Sequence, residues 1–145
     1  MTQVWYAEVI SRLDDGAKVL DIGVGTGTAL VNNRAAVVAK RLTFVGVDYE
    51  PAYVDKCQRN AKAARLQDNL TAVCASVYDE NLSDLVGTGF DAVYFSGSIS
   101  LMPDPVGALH ATAKLLKKKN GVIYVTQTFQ RRGTFLLAWA KPMLK

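Results

Sequence analysis

Residues 18–30 read KVLDIGVGTGTAL, a short apolar run that leads into a loop with glycine at every second position. A second apolar run, TFVGVD at residues 43–48, ends in Asp48, which follows Gly27, the last glycine of the loop, by 21 positions. A glycine-rich turn between a strand and a helix, with an acidic residue at the end of the next strand, is a nucleoside-binding layout. These two stretches therefore predict an α/β fold with a nucleoside-type ligand beyond the carboxyl ends of its first strands.

Five strand-like runs alternate with helical patterns along the chain. Several of them are almost continuously apolar, which is typical of strands covered on both faces of a parallel sheet. Right-handed crossovers between such strands place helices on both faces. We therefore predict a doubly wound, mainly parallel sheet within a single domain over residues 1–145. The predicted strands are residues 19–22, 43–47, 70–74, 90–95 and 122–128.

Apolar stripes at helical spacing accompany these runs and are predicted to face the sheet. Two of them follow residues suited to a helix N-terminus: Pro51 stands at a first helical position, and Asp104 with Pro105 forms a cap and a first helical residue. The stripes are Val54, Cys57, Ala61 and Ala64, then Val106, Leu109, Ala113 and Leu116, and, before the first strand, Tyr6, Val9, Ile10 and Leu13.

The charge balance does not require a polyanionic partner. The 145 residues include 17 Lys and Arg against 13 Asp and Glu, which gives a formal net charge of +4. Much of this excess lies at Lys117, Lys118 and Lys119, beside a predicted turn, where a lysine run is more typical of a solvated corner than of a nucleic-acid patch. We therefore favour a partner other than nucleic acid.

The remaining composition predicts no metal site and no membrane partner. Cys57 and Cys74 lack CxxC spacing and are predicted to be small buried hydrophobes in a reducing compartment. His110, the single histidine, has no evident metal partner and is interpreted as a helix-face residue. No run reaches the roughly 18 apolar residues of a membrane span, and the N-terminus lacks a signal-peptide pattern. We expect a cytoplasmic protein, with the nucleus left open.

The glycine loop departs from the dinucleotide fingerprint. That fingerprint, G-x-G-x-x-G, needs glycine or alanine three positions after its second glycine. Counted from Gly25 the position holds Thr28, and counted from Gly27 it holds Leu30. An NAD-dependent oxidoreductase is therefore disfavoured, although it stays an alternative.

Five sequence blocks together resemble the class I S-adenosylmethionine-dependent methyltransferases. The blocks are DIGVGTG, GVDYEP, CASVYD, FDAVYFSGSISLMPDP and LLKKKNGVIYVTQTF, in the family's order over residues 18–129. The resemblance implies a Rossmann-like methyltransferase fold, S-adenosyl-L-methionine as cofactor and S-adenosyl-L-homocysteine as product. A cofactor without pyrophosphate needs close backbone approach rather than a phosphate cradle, which Gly23, Gly25 and Gly27 allow.

The resemblance also implies roles for the acidic residues at the first two strand ends. Asp21 would face the positively charged amino-acid end of the cofactor, directly or through water. Asp48 would accept hydrogen bonds from both ribose hydroxyls, and Tyr49 would pack on the adenine ring. By ordinary local chemistry the two carboxylates would instead cap helices, and the glycines would only make a tight turn.

The later blocks are expected to complete the site. Ser76 and Val77 would line the adenine edge, although an aspartate is common in the family near the position of Ser76, and a turn-closing serine is the alternative. Beyond the fourth strand, Ser96, Gly97 and Ser98 would face the methyl group and the acceptor, or the serines of this loop would hydrogen-bond within it. The joint occurrence of these residues at strand ends favours a cofactor site.

The sequence narrows the acceptor but does not identify it. The fourth strand is followed by FSGS and not by the Asn- or Asp-Pro-Pro-aromatic tetrad of family members that methylate amino groups. A small molecule is favoured over protein or RNA, with hydroxyl, carbon and carboxyl acceptors open. No general base stands out, so a non-catalytic module that binds cofactor or a partner is the main alternative.

The end of the chain departs from the family pattern. Family members usually continue into a hairpin that completes a seven-stranded sheet, whereas only residues 130–145 follow the fifth strand here. Leu136, Trp139 and Met143 predict an amphipathic helix with an apolar face that needs a partner. We expect either a truncated product or a chain that completes its sheet by association through this helix. At the other end, Trp5 and Tyr6 would lie near the mouth of the acceptor pocket or merely cover the sheet.

Overall fold

A computed structural model of the chain describes residues 1–128. The strands are β1 (Lys18–Ile22), β2 (Thr43–Asp48), β3 (Leu70–Cys74), β4 (Ala92–Ser96) and β5 (Val122–Thr126). They form one parallel sheet in the order β3-β2-β1-β4-β5. The predicted α/β, doubly wound parallel sheet is thus confirmed. Each predicted run overlaps one strand, and the observed ends of that strand differ from the predicted ends by no more than two residues.

Helices cover both faces of this sheet. They are α1 (Thr2–Arg12), α2 (Thr28–Asn32), α3 (Arg34–Ala39), α4 (Pro51–Ala63), α5 (Leu82–Val86) and α6 (Pro105–Ala113), with a short 3₁₀ turn at Ile99–Leu101. The first four helices pack with one set of strand side chains, among them Val19 and Phe44. The last two helices pack with the alternate set, among them Leu20 and Val93. The period-2 alternation of strand side chains therefore supplies two apolar cores.

The strand order reverses at the centre of the sheet. From β1 the chain moves to β2 and β3 on one side, and then returns to place β4 and β5 on the other. Connections that leave β1 and β4 in opposite directions open a crevice beyond their carboxyl ends, which is where ligands bind in such sheets. This crevice, the switch point, lies beside the glycine loop after β1.

The predicted buried stripe of α4 is confirmed. Glu50 caps the helix by accepting from the Ala52 amide at 3.4 Å, and Pro51 begins it. Val54, Cys57 and Ala61 are buried, and Ala64 is partly buried against the same core. The stripe of α1 is also buried as predicted, at Tyr6, Val9, Ile10 and Leu13.

The predicted buried stripe of α6 is wrong. Asp104 caps this helix as expected, accepting from the Gly107 amide at 2.9 Å, but Val106 and Ala113 are exposed. The buried face carries Ala108, Thr112 and Leu115, with Leu109 and Leu116 only partly buried. Thr112 can be buried because its hydroxyl donates to the carbonyl of Ala108 within the helix at 2.9 Å.

The prediction of two buried cysteines holds for only one of them. Cys57 is fully buried on α4, whereas Cys74 is exposed, because it is the last residue of the edge strand β3. Lys117, Lys118, Lys119 and His110 are all exposed, and His110 lies on α6 as predicted.

Three further predictions are tested only in part, or not at all, by the described residues. Within residues 1–128 no helix is long and apolar enough to cross a bilayer. The predicted helix face of Leu136, Trp139 and Met143 lies outside the described residues. A single domain over residues 1–145 stays a prediction.

Candidate functional site

A cavity of about 470 Å³ opens at the switch point, beyond the carboxyl ends of β1, β2 and β4. It is bounded by the glycine loop, by the loop after β3 and by the loop after β4. Most of the predicted site residues line it together: Gly23, Gly25, Asp48, Tyr49, Ser76, Val77 and Ser96. The cavity also includes Gly97 and Ser98. Residues separated by more than seventy positions in the sequence are thus brought to one crevice by the parallel sheet.

The glycine loop is held against the end of β2. The amides of Gly23 and Val24 both donate to the carbonyl of Val47, at 2.8 and 3.2 Å. Gly23 has a φ of +79°, and a Cβ at this position would lie 2.6 Å from the Cβ of Ser98. Only glycine therefore fits at Gly23, since both the backbone conformation and the space exclude a side chain.

Gly25 and Gly27 differ in what they face. A Cβ on Gly25 would meet no atom within 4 Å, so the backbone at this point is open toward the cavity. A Cβ on Gly27 would lie 2.6 Å from the Sγ of Cys57. Gly27 therefore packs against α4 and does not line the cavity, unlike the other two glycines.

Gly46 performs a packing role that the sequence pattern did not reveal. A Cβ on this β2 residue would lie 2.7 Å from a methyl carbon of Val24 in the glycine loop. Its lack of a side chain lets Val24 settle on the strand, which fixes the loop beside Asp48. A glycine inside an otherwise apolar strand was the available signal for such a close approach.

Asp48 joins the glycine loop to the start of α4. One carboxylate oxygen, Oδ2, accepts from the Gly25 amide at 3.0 Å, and the other, Oδ1, accepts from the Glu50 amide at 3.0 Å. Asp48 does not cap a helix, since Glu50 fills that position. Each carboxylate oxygen can accept more than one hydrogen bond, so both retain capacity toward the cavity. Tyr49 beside it is 79% exposed at the rim.

The loop after β3 is closed by its own polar groups. The Oγ of Ser76 accepts from the Tyr78 amide at 3.2 Å, and the Ser76 amide donates to Asp79 Oδ2 at 2.9 Å. Ser76 therefore closes a turn while it lines the cavity, and Val77 next to it is buried. Closing the turn and lining the cavity are compatible roles, because the hydrogen bonds of Ser76 within the turn leave it at the cavity.

Tyr78 ties two walls of the cavity together. Its hydroxyl donates to the carbonyl of Asp104 at 2.8 Å and accepts from the amide of the same residue at 3.1 Å. These bonds hold the loop after β3 against the segment before α6, whose residues Leu101, Met102 and Pro103 form an apolar wall. Sequence reasoning missed this role because the two partners are 26 positions apart.

The serines after β4 divide into two types. Ser98 donates to the carbonyl of Ile22 at 2.6 Å, so it bonds to the backbone at the end of β1. The Oγ of Ser96 is buried and has no hydrogen-bond partner among residues 1–128. Ser96 therefore forms no hydrogen bond of ordinary geometry within residues 1–128, although its hydroxyl lies close enough to those of Tyr6 and Tyr94 to oppose the rise in the pKa of both.

Asp21 lies fully buried at the end of β1, below the glycine loop. The Tyr6 hydroxyl donates to its Oδ2 at 2.6 Å, and its Oδ1 has no hydrogen-bond partner among the described residues. Burial raises the pKa of Asp21 to about 7, the Tyr6 hydrogen bond opposes that rise, and the nearby charge of Asp48 adds to it. Burial and the negative charge of Asp21 also raise the pKa of Tyr6.

Tyr6 covers the sheet, which is the second of the two alternatives that the sequence left open for it. Its side chain is buried, with the ring edge-to-face against Tyr94 at a centroid distance of 4.9 Å. A second cavity of about 370 Å³ lies beside α1 and the glycine loop, and Tyr6, Gly23 and Ser96 line it. Since Gly23 and Ser96 line both cavities, the two spaces adjoin each other at these residues.

The electrostatics of the larger cavity favour a cation over a phosphate. Asp48 lines the larger cavity and Asp21 lies beneath the glycine loop, whereas no Lys or Arg side chain from residues 1–128 lines either space. Phosphate sites are usually built from basic side chains or helix N-termini. Within the same residues, no group of three His, Cys, Asp or Glu side chains is placed to hold a metal ion.

Comparison with known proteins gives a consistent match. A family model described as "Methyltransferase domain" matches residues 13–138. The chain is 30% identical over 126 residues to aklanonic acid methyltransferase DauC of Streptomyces sp. (strain C5), covering 87% of this chain and 54% of that protein. It is 32% identical over 134 residues to the ubiquinone biosynthesis O-methyltransferase of Xanthomonas oryzae pv. oryzae (strain PXO99A), covering 90% of this chain and 51% of that protein.

A solved structure shares the fold. It is a SAM-dependent methyltransferase from Thiobacillus denitrificans in complex with S-adenosyl-L-homocysteine, with a TM-score of 0.69 and 20% identity. The match covers 97% of this chain and 54% of that one. The chain thus spans about half the length of the curated relatives and of this structure.

Proposed function

We propose that this chain, which belongs to the class I S-adenosylmethionine-dependent methyltransferase family, binds S-adenosylmethionine and transfers the cofactor's methyl group. The proposed acceptor is an oxygen of a small molecule. The observation that carries the proposal is the convergence of Gly23, Gly25, Asp48 and Ser96 on one cavity at the switch point. Each of these residues comes from a strand end, where ligands of doubly wound sheets bind.

The residues of the larger cavity fit the nucleoside part of this cofactor. Asp48 is fixed by two backbone amides and keeps acceptor capacity for the ribose hydroxyls. Gly25 leaves the backbone open to close approach. Tyr49 would pack on the adenine, and Ser76 and Val77 would line its edge. Gly27 would act indirectly, by letting α4 pack against the loop.

The second cavity fits the amino-acid part. Asp21 supplies a buried negative charge near Gly23, and the Oγ of Ser96 supplies an unpartnered polar group. When bound, S-adenosylmethionine supplies a methyl group on a positively charged sulfur. The chain's own contribution is to hold the cofactor by hydrogen bonds and to exclude water from the cavity, which positions the reactants for in-line transfer.

The acceptor is proposed to be a small organic molecule that lies against the apolar wall of Leu101, Met102 and Pro103. The small residues Gly97 and Ser98 leave room beside that wall. Support comes from the two curated relatives, whose names refer to aklanonic acid and to an O-methyltransferase of ubiquinone biosynthesis. The free cysteines Cys57 and Cys74 fit a reducing compartment, so we propose a cytoplasmic location.

Calorimetric titration of the 145-residue chain tests the cofactor. We expect one-site binding of S-adenosylhomocysteine and none of NAD. Asp48→Ala should weaken binding by about 1.5–3 kcal/mol, the range for hydrogen bonds to a charged group. Asp91→Ala is the matched control, because it removes a carboxylate at the other edge of the sheet and should leave the affinity unchanged. Equal affinities for wild type and Asp48→Ala would remove Asp48 from the site.

Turnover tests the transferase half of the proposal. The chain is incubated with S-adenosylmethionine and a panel of phenols, hydroxyquinones and carboxylic acids, and each acceptor is measured by mass spectrometry for the addition of a methyl group. Methylation above the enzyme-free rate supports the proposal. Binding without methylation of any acceptor would contradict transfer by this chain and favour a non-catalytic binding module.

A further inference from the structure

A buried hydrogen bond connects helix α1 to the end of β1. The Tyr6 hydroxyl donates to Asp21 Oδ2 at 2.6 Å, and both residues are almost completely enclosed. Their sequence separation is 15 positions. The glycine-loop motif includes Asp21 but gives no indication of a partner on α1, so the tertiary structure alone reveals this pair.

The surroundings of Asp21 lack the partner that a buried carboxylate ordinarily needs. The titratable groups around it are Tyr6 from α1, Asp48 from β2, Cys57 from α4 and Tyr94 from β4. None of these is a cation, and no salt bridge to Asp21 forms within residues 1–128. Because an ionised buried carboxylate is costly without compensation, the unpartnered Oδ1 marks a site for a positive group.

We propose that Tyr6 is a positioning residue: its hydroxyl holds Asp21 as the anionic partner for the cationic amino-acid end of the cofactor. This inference rests on the proposed function. By occupying Oδ2, the tyrosine fixes the rotation of the carboxyl group, while Oδ1 has no hydrogen-bond partner among residues 1–128. Tyr6 also lines the second cavity with Gly23 and Ser96, so α1 contributes to a space beside the glycine loop that begins two residues after Asp21.

Tyr6 also favours the charged form of Asp21. Burial raises the pKa of Asp21 to about 7, and the hydrogen bond from Tyr6 limits that rise by stabilising the carboxylate. A cationic ligand binds the carboxylate form, so the affinity falls as the pH decreases through 7. Removing the hydroxyl raises the pKa of Asp21 further, and the midpoint of the affinity profile then moves to higher pH.

The test compares S-adenosylhomocysteine binding by wild type, Tyr6→Phe and Tyr94→Phe between pH 6 and pH 8.5. Wild type should bind roughly tenfold more weakly at pH 6 than at pH 8. Tyr6→Phe should bind roughly fivefold more weakly than wild type at pH 7, with its midpoint raised by about one pH unit. Tyr94→Phe is the matched control, since it removes the hydroxyl of the paired tyrosine, which bonds to Thr126 Oγ1 at 2.8 Å.

Asp21→Asn separates titration of the carboxyl group from titration of the ligand. This variant keeps the shape of the side chain but carries no charge, so its weak binding should lose the pH dependence near 7. Circular dichroism and thermal melts of each variant check that the fold is retained. A ligand-free measurement, the carboxyl ¹³C shift of Asp21, gives the pKa of the same group in wild type and in Tyr6→Phe.

The outcomes distinguish the two proposals. Equal weakening of Tyr6→Phe at every pH, or an unchanged affinity, would overturn the positioning role while leaving cofactor binding in place. Failure of wild type to bind S-adenosylhomocysteine would overturn the proposed function and the ligand part of this inference. An unchanged ¹³C titration in Tyr6→Phe would overturn the link between Tyr6 and the charge of Asp21, whatever the ligand does.

Discussion

The amino ends and the carboxyl ends of the parallel strands form two edges of the sheet, and the aspartates at these two edges have opposite environments. At the amino edge, Asp91 accepts from the Lys18 amide at 2.8 Å and from the Lys117 ammonium at 2.6 Å, and these bonds lower its pKa. At the carboxyl edge, Asp21 is fully buried without a cation, and burial raises its pKa to about 7. The first carboxylate is neutralised within the protein, whereas the second has no cationic partner among residues 1–128.

Two glycines, one from each edge, differ in how crowded they are. Gly23 at the carboxyl edge has positive φ and lies against the loop after β4, so that a Cβ would come within 2.6 Å of Ser98. Gly89 at the amino edge also has positive φ, but a Cβ there would meet no atom within 4 Å. Crowding, and not backbone conformation alone, therefore distinguishes Gly23 from Gly89, whereas Gly25 at the carboxyl edge is as open as Gly89.

The largest expected effect comes from substituting the crowded glycine, Gly23. Gly23→Ala should lower the free energy of unfolding by about 3 kcal/mol, because strain at positive φ adds to the clash with Ser98. Gly89→Ala should cost only the backbone strain, about 1 kcal/mol. Urea denaturation measures both. Adding Ser98→Gly should recover part of the loss in Gly23→Ala, and equal costs at the two glycines would show that the clash is relieved by local movement.

A smaller effect is expected from the buried charge of Asp21. Because its folded-state pKa lies above the unfolded value, the ligand-free protein binds its proton more tightly than the unfolded chain and loses stability as the pH rises toward 7. Between pH 5 and pH 8 this group should lower the free energy of unfolding by about 2–3 kcal/mol. Denaturation curves of wild type and Asp21→Asn measure the difference. A pH dependence that persists in the variant would assign it to other groups.

The smallest effect is expected at the amino edge. Lys117→Ala removes the ion pair with Asp91, whose two side chains are 39% and 34% exposed, so the loss of stability should stay below about 1 kcal/mol. The contribution has the opposite pH dependence from that of Asp21: it is present at neutral pH and is lost as the pH falls through the lowered pKa of Asp91. Denaturation at low and high salt checks this, since added salt should reduce the difference between variant and wild type.

Sequence reasoning succeeded where the physical rule is local. The strand runs and the glycine loop obey periodicity and backbone constraints that act over a few residues, and the family resemblance is confirmed by the match over residues 13–138. Pro51 at the first position of α4, and the Asp104 cap with Pro105 at the start of α6, were also predicted correctly. The α6 stripe was wrong because Thr112 satisfies its own hydroxyl and is buried beside Ala108, so polarity did not indicate exposure.

The roles within the candidate site were less accessible. Nothing in the motif distinguishes Gly25, which is open to the cavity, from Gly27, which packs against Cys57. Cysteine is a residue type that is usually buried, but Cys74 lies at the end of an edge strand and is exposed. These differences depend on which element packs on which, and that information is not contained in local spacing.

The sequence by itself determined the order of strands and helices, the glycine loop after β1 and the acidic ends of β1 and β2, because these follow from the conformational limits and periodicity of short segments. Only the tertiary structure decided how those parts act together. It buried Asp21 against the Tyr6 hydroxyl, tied Tyr78 to Asp104 and left Ser96 unpartnered among residues 1–128. The physical reason is that burial and hydrogen bonding between distant elements set the charge and reach of each side chain, and both arise only when the sheet and helices pack.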